Sequence, residues 1–416
     1  MNKLFKRDFT MVVIGQIISL FGNAILRFAL PLYLLRETDS ASLFGAVTAC
    51  SFIPMVIFSL FGGVIADRKN KRNIMVALDF ITAAVILIFS LALGKVSLVP
   101  LMIAVLMILY GISGIYQPAV QAGIPLIVEK QFLMQGNAVI NMVSTLASLL
   151  GPVTGGVLFS AFGIMPILFI SIVCFVFSAV MEIFIHIPFE KNTDGKSIFG
   201  AVGSDLSDSF KFIKNEKPIF ISVLGIVALF NLILSAMMLV GIPVIVVQIL
   251  GMSDTAIGIT QGAMGLGGFA GGIIAGAAAG KIRLKNGYVF LIICSLAAFF
   301  MGIPVLEAIP KNIGYFLITA ISFGAMCASA MFSVSMMTVV QQQTPPNLLG
   351  KIMAVVIAVS GCSQPVGQAV YGVLFDVLAG KSYLITTGAA ILAMAVSMYS
   401  KKVFAALEQQ SAIHSF

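Results

Sequence analysis

The sequence predicts an all-α membrane protein of twelve transmembrane helices, built as two six-helix bundles related by pseudo-two-fold symmetry. Three observations predict it. First, 60% of the 416 residues are hydrophobic and only 10% are charged, with a mean hydropathy of +1.10. A soluble domain carries ~25% charged residues, so lipid is the natural solvent for this chain. Second, apolar runs of bilayer-spanning length recur along the whole sequence. Third, the second half repeats landmarks of the first in the same order.

A bilayer core of ~30 Å needs ~20 apolar residues per helical crossing. Runs of that kind lie at 10–35, 41–66, 73–94, 98–121, 137–161, 164–187, 218–248, 255–280, 287–307, 312–341, 351–378 and 382–400. None shows the alternation of a barrel strand. The first run is too long for a signal-peptide core and is expected to stay as a membrane anchor. Twelve crossings put both termini on one side. With that side cytoplasmic, nineteen of the twenty-four Lys and Arg residues face the cytoplasm, only Arg36, Lys95, Lys311 and Lys381 face outward, and Arg27 lies within a helix. That asymmetry predicts cytoplasmic termini in a cell membrane.

Polar side chains inside lipid must face protein or water, so their positions outline a cavity. Helix 1 carries Gln16, Ser19, Asn23 and Arg27 on one face. Arg27 either meets an anionic group in the cavity or snorkels to the outer surface. Helix 2 ends in Gly63-Val64-Ile65-Ala66-Asp67-Arg68, and Lys71 and Arg72 follow in the loop. Helix 3 contains Asp79. Helix 4 carries Tyr110, Ser113, Gln117 and Gln121. Helix 5 contains Gly151-Pro152-Val153-Thr154-Gly155-Gly156, where missing side-chain bulk and a missing backbone donor allow close, bendable packing. Helix 6 ends near Glu182, with His186 one turn beyond. Asp79 and Glu182 are the expected proton carriers, or else they brace the basic loop and the headgroup layer.

The stretch 188–217 is polar and divides the bundles at 1–187 and 218–416. Ile198, Val202, Leu206, Phe210 and Ile213 recur within it at helical spacing, which predicts an amphipathic surface helix, either a tether or a plain linker. Helix 7 contributes Asn231 and Ser235 to the cavity, helix 10 contributes Ser329 and Ser333, and helix 11 contributes Gln364 and Gln368.

The halves align at an offset of 212 to 216 residues. Leu30-Pro31 matches Ile242-Pro243, Gly63 matches Gly276, Gly136 matches Gly350 and Pro152 matches Pro365. Gly156-Val157-Leu158-Phe159 matches Gly372-Val373-Leu374-Phe375. With an even number of spans per half, these are parallel repeats about an axis normal to the membrane.

On these residues the chain resembles the major facilitator superfamily over its whole length. The resemblance implies rocking-bundle transport, with helices 1, 4, 7 and 10 lining the path. It also implies that Gly63, Asp67, Arg68, Lys71 and Arg72 form a conformational latch. Asn70 stands where the family usually has Gly, and Gly280 replaces the Asp in the second copy. The helix-5 segment, with Gly151, Pro152, Gly155 and Gly156, is similar to the motif of drug:proton antiporters, with Ala147 where that family has another Gly. Gly15–Leu26 and Pro118–Pro125 resemble the macrolide-efflux-like branch. The function implied is proton-driven export of amphipathic small organic compounds (a drug, an antibiotic or a siderophore-like molecule). The alternative is an importer or a lipid or metabolite transporter with other or no ion coupling.

Other classes fit poorly. With only His186 and His414, no catalytic constellation forms. No Walker loop supports a nucleotide-driven pump. The five cysteines lie in apolar runs at no metal-ligand spacing. The basic residues are scattered, against nucleic acid binding. The expected partners are a small-molecule substrate, the proton and the bilayer, with no cofactor or metal, in a monomer.

Overall fold

The computed structural model describes residues 5–129, 132–188, 211–277, 286–306, 308–345 and 348–413. Twelve long helices run through them: α1 Arg7–Thr38, α2 Ala41–Arg68, α3 Lys71–Ala92, α4 Leu98–Ile127, α5 Leu133–Phe162, α6 Ile164–Ile183, α7 Ile219–Ile249, α8 Asp254–Ala277, α9 Gly287–Phe300, α10 Lys311–Gln343, α11 Leu349–Val377 and α12 Ser382–Ile413. There is no strand among the described residues. In lipid only structures that satisfy their own backbone survive, and a helix does so within one segment. Eleven of these helices are long and apolar enough to cross a membrane. The remaining one, α11, has 29 residues. Large apolar side chains such as Ile88, Phe169, Phe316 and Ile391 lie on the outside, which suits a surface covered by lipid rather than water.

Local chemistry sets the breaks. Asp39 ends α1 in the left-handed region at φ 48°, its N–H donating to the Leu35 carbonyl; Asp tolerates that conformation better than most residues. Asn70 starts α3 by accepting from the Arg72 N–H. Several helices outrun the apolar runs that announced them: α12 continues through Lys401 and Lys402 to Ile413. Charge ends a hydrophobic run but does not end a helix. Conversely α9 stops at Phe300, and a 3₁₀ turn at Ile303–Val305 follows, with Pro304 inside it. Helix α7 is interrupted by two π-turns, Asn231–Ser235 and Val244–Ile249.

The chain divides into two compact units. The first holds α1, α2 from Val47 onward, and α3–α6; the second holds Ser40–Ala46 and α7–α12. Within the first, α1 packs on α5 and α6, and α3 packs on α4 and α6. Within the second, α7 packs on α11, α9 on α12 and α8 on α10. The pairs α1–α5 and α3–α6 correspond in order to α7–α11 and α9–α12, so the repeat seen in sequence is also a repeat of packing. A core of Leu26, Leu30, Phe89, Met102, Leu106, Ile167 and Phe175 holds one end of the first unit. Of the expected surface helix, Ile198, Val202, Leu206 and Phe210 lie outside the described residues; 211–215 are helical, with Phe212 and Ile213 buried.

The first turn of α2 is closed by a carboxylate from α11. Asp376 Oδ1 accepts from the Ala41 N–H at 2.8 Å, and Oδ2 accepts from the Ser42 N–H at 2.9 Å and the Ser40 hydroxyl at 2.8 Å. Helix N-termini leave unpaired donors that an anion satisfies well. Asp376→Ala is expected to destabilise the protein by about 1 kcal/mol, read as a lower unfolding midpoint in detergent. Asp376→Asn should recover part of that loss.

Candidate functional site

Two sites stand out, one in each unit. In the first, α1, α3, α4 and α6 bring polar side chains together in a dry interior. Gln16 Nε2 donates to Tyr116 Oη at 2.8 Å, and Tyr116 Oη donates to Glu182 Oε1 at 2.8 Å. Ser19 Oγ donates to Asp79 Oδ1 at 3.3 Å, and Ser178 Oγ donates to the Gly15 carbonyl at 3.2 Å. Gln16 and Glu182 are fully buried, and Asp79 is 2% exposed. Both carboxylates thus belong to one buried cluster, tied to α1 through Ser19 and, by way of Tyr116, through Gln16. The ion pair between Lys6 and Glu129, at 2.6 Å, involves neither of them.

The inventory of hydrogen bonds in this cluster is one-sided. The Gln16 amide, the Tyr116 phenol and the Ser19 hydroxyl each donate within it, whereas Gln16 Oε1, Asp79 Oδ2 and Glu182 Oε2 are buried without a partner among the described residues. Burying an uncompensated carboxylate is costly, and it is relieved when a proton or a cation joins it. Among the described residues, the hydrogen-bond partners of these acids are neutral side chains. Asp79 meets Ser19, and Glu182 meets Tyr116. Arg72 instead holds Asn73 Oδ1 through Nε and a terminal guanidinium nitrogen. His186 donates its backbone N–H to Asp8 Oδ1.

In the second unit, α7, α8, α9, α10 and α11 enclose a cavity of about 230 Å³. Met237, Met238, Met264, Met301 and Met326 line it with Phe230, Leu234 and Ala325. Ser235, Ser329, Gln364 and Cys294 supply its polar atoms. Unbranched thioethers adapt their shape to a ligand better than branched side chains do. Pockets that enclose a drug-sized ligand measure ~300–1,000 Å³, so this one admits a small ligand or the apolar part of a larger one. A π-turn carries Ser235 to the wall; such turns recur at functional sites.

The sequence-predicted cavity residues divide between these sites and other surroundings. Ser235, Ser329 and Gln364 line the second-unit cavity. Gln16 belongs to the acidic cluster. Arg27 stacks over the Tyr110 ring at 4.1 Å from its centroid, with Nε buried and unpartnered. Asn231 donates to the Val227 carbonyl of its own helix at 2.9 Å. Gln368 is buried, and its Oε1 lacks a partner. Asn23 and Gln117 are half-buried, and Gln121 and Ser333 are exposed.

Of the expected latch, the side chains of Gly63, Asp67 and Arg68 lie outside the described residues; Lys71 is buried on α3. The helix-5 segment lies against α1. A Cβ on Gly151 would run into Ala24, and one on Gly155 would reach Phe28 Cδ1 at 3.0 Å. Pro152 is inside α5, and Gly156 is buried. Tyr116 and Ser178 are members of the acidic cluster that sequence reasoning passed over. A phenol hydroxyl in mid-span needs a hydrogen-bond partner, which was the available signal for Tyr116.

A set of membrane-length helices with a buried acid cluster in one unit and a methionine-lined cavity in the other fits a multi-pass membrane transporter. The family model of the Major Facilitator Superfamily matches residues 12–368, and the chain belongs to that family. It is a secondary transporter of small molecules and not an enzyme. Macrolide efflux protein A of Streptococcus pyogenes is 21% identical over 397 residues, covering 94% of this chain and 95% of that protein. The Staphyloferrin A transporter of Staphylococcus aureus is 22% identical over 211 residues, covering 50% of this chain and 52% of that protein. The crystal structure of nucleoside transporter NupG superposes with a TM-score of 0.71 at 14% identity, covering 97% of this chain and 99% of that one. That likeness is one of fold.

Proposed function

We propose that this chain exports amphipathic small organic compounds across the cell membrane, driven by inward movement of protons. The cavity of the second unit carries the proposal. Its five methionines present adaptable apolar surface, and Ser235, Ser329 and Gln364 provide a few fixed polar contacts. A mixed apolar and polar ligand is what such a lining recognises. The full-length similarity to a macrolide efflux protein supports the outward direction. Asp79 and Glu182 are the proton carriers in this scheme, because each is buried with one carboxylate oxygen unpartnered.

The remaining parts follow from the same scheme. The termini lie in the cytoplasm, as the distribution of Lys and Arg favours. Residues 1–187 and 218–416 act as the two moving bundles of a monomer, with 188–217 between them. Gly63, Asp67, Arg68, Lys71 and Arg72 latch one conformation, and the tight α1–α5 contact at Gly151 permits bending at Pro152.

Retention of a radiolabelled macrolide in cells expressing the protein tests the direction. Expressing cells should hold less label than controls; holding more would identify an importer and overturn the proposal. Ser329→Phe places a ring in the 230 Å³ cavity. It is expected to reduce export about tenfold, the effect of roughly 1.4 kcal/mol on the transported state, with expression unchanged.

A further inference from the structure

We propose that the acidic cluster of the first unit binds a hard, oxygen-seeking metal cation in exchange for protons. The inference deepens the coupling scheme above and rests on Asp79 and Glu182 being its ion site. Three buried oxygens lack partners among the described residues, one each from α1, α3 and α6: Gln16 Oε1, Asp79 Oδ2 and Glu182 Oε2. Gln16 is the telling member. Its amide nitrogen is held by Tyr116 Oη, which fixes which end of the amide remains for a ligand. The neutral oxygen is thereby left fully buried in the cluster that holds the two acids, joined to Glu182 by way of Tyr116. A proton on each acid neutralises the charge, but it supplies only two donors. A single cation drawing on all three oxygens would satisfy them together.

The donor chemistry selects the class of ion. Among the described residues there is no group of three His, Cys, Asp or Glu side chains that would hold a metal. Two carboxylates, an amide oxygen and the nearby Ser19 and Tyr116 hydroxyl oxygens form an all-oxygen set. Such sets suit Ca²⁺ and similar hard ions rather than zinc or copper. Charge is the second guide. The groups that face the acids are Ser19 and Gln16 from α1, Tyr116 from α4 and Ser178 from α6, all neutral at ordinary pH. Helices α4 and α5 contain no charged residue. The other charged residues on the participating helices lie elsewhere along them: Arg7, Asp8, Arg27, Arg36 and Glu37 on α1, Lys71 and Arg72 on α3. Two ionised carboxylates are thus balanced by one divalent cation, or by one monovalent cation with one proton retained.

The test uses the purified full chain in nanodiscs, slightly below neutral pH, in weakly buffered medium. CaCl₂ and NaCl are added separately, with choline chloride matching ionic strength. Proton release and the thermal unfolding midpoint are read together. One of the two metal salts is expected to release protons and to raise the midpoint by several degrees, while choline does neither. Ca²⁺ as the active ion means both carboxylates give up their protons; Na⁺ means one does. Both responses should vanish in Asp79→Asn and in Glu182→Gln. Gln16→Leu, which removes a neutral ligand and no charge, should weaken the apparent affinity about tenfold, by the ~1.4 kcal/mol equivalence; it serves if the acid variants do not fold. Absence of proton release with either salt in the wild type, or release undiminished in the variants, overturns the assignment. Cation-linked proton release in a protein that transports nothing would leave the site standing and remove the drive. Proton-driven transport with no cation response would do the reverse.

Discussion

Neutralising both acids, with Asp79→Asn and Glu182→Gln together, is expected to abolish gradient-driven transport while leaving a folded protein. Each replacement keeps the shape and the acceptor that its neighbour uses. An asparagine at 79 would still offer an oxygen to Ser19, and a glutamine at 182 would still accept from Tyr116, as the acids do now. What disappears is the exchangeable proton. A buried charge without a counter-ion costs free energy that a neutral amide does not. The unfolding midpoint should therefore hold or rise. Counterflow of a labelled compound down its own gradient should persist, and its response to an imposed proton gradient should fall to that of empty vesicles. A double variant that still responds to the gradient places the proton elsewhere in the chain.

The second large effect is mechanical. Gly151→Leu inserts a branched side chain where α5 touches Ala24 of α1, a contact already too close for any Cβ. Overpacking of this kind costs ~1–3 kcal/mol or more. The helices must separate, and α1 also carries Gln16 and Ser19 of the acidic cluster. The expected outcome is a sharp fall in the yield of monodisperse protein, together with loss of transport in whatever folds. Gly151→Ala should produce a milder version of the same defect. The neighbouring Thr154 is exposed, so Thr154→Leu, a change of similar size on the outward face, is the control and should be tolerated. Normal yield and transport from Gly151→Leu would show that α1 and α5 have slack there.

Much of the fold was legible because bilayer physics is strict. Apolar length, the charge break between halves and the paired landmarks Pro152 and Pro365 pointed to the class, the family and the repeat. The helix ends were not legible. Helix α12 runs on past Lys401, since helix propensity survives where hydropathy fails, and α9 stops early beside Pro304. The π-turns of α7 leave no mark in hydropathy at all.

For the sites, polarity inside a span identified residues but not which way they point. Gln16 shares a helical face with Asn23 and Arg27 in sequence terms, yet its amide is committed to Tyr116. Asn231 is as polar as Ser235 but spends its donor on its own helix. Asp79 and Glu182 sit towards the ends of their apolar runs, which made a headgroup position look natural. Their burial arises from four helices converging on them, a tertiary fact that no single run of sequence contains. The methionine wall is assembled by the fold: its members come from α7, α8, α10 and the residue that follows α9.

The most direct test of the central claim, that proton movement through this chain drives an organic compound outward, is transport in sealed proteoliposomes with an imposed pH difference. Vesicles carrying the purified protein should accumulate a labelled macrolide against its gradient when the compartment it enters is the more acidic one, and reversing or collapsing the pH difference should reverse or stop the flux. A flux that ignores the pH difference, in protein shown to bind the compound, would contradict it.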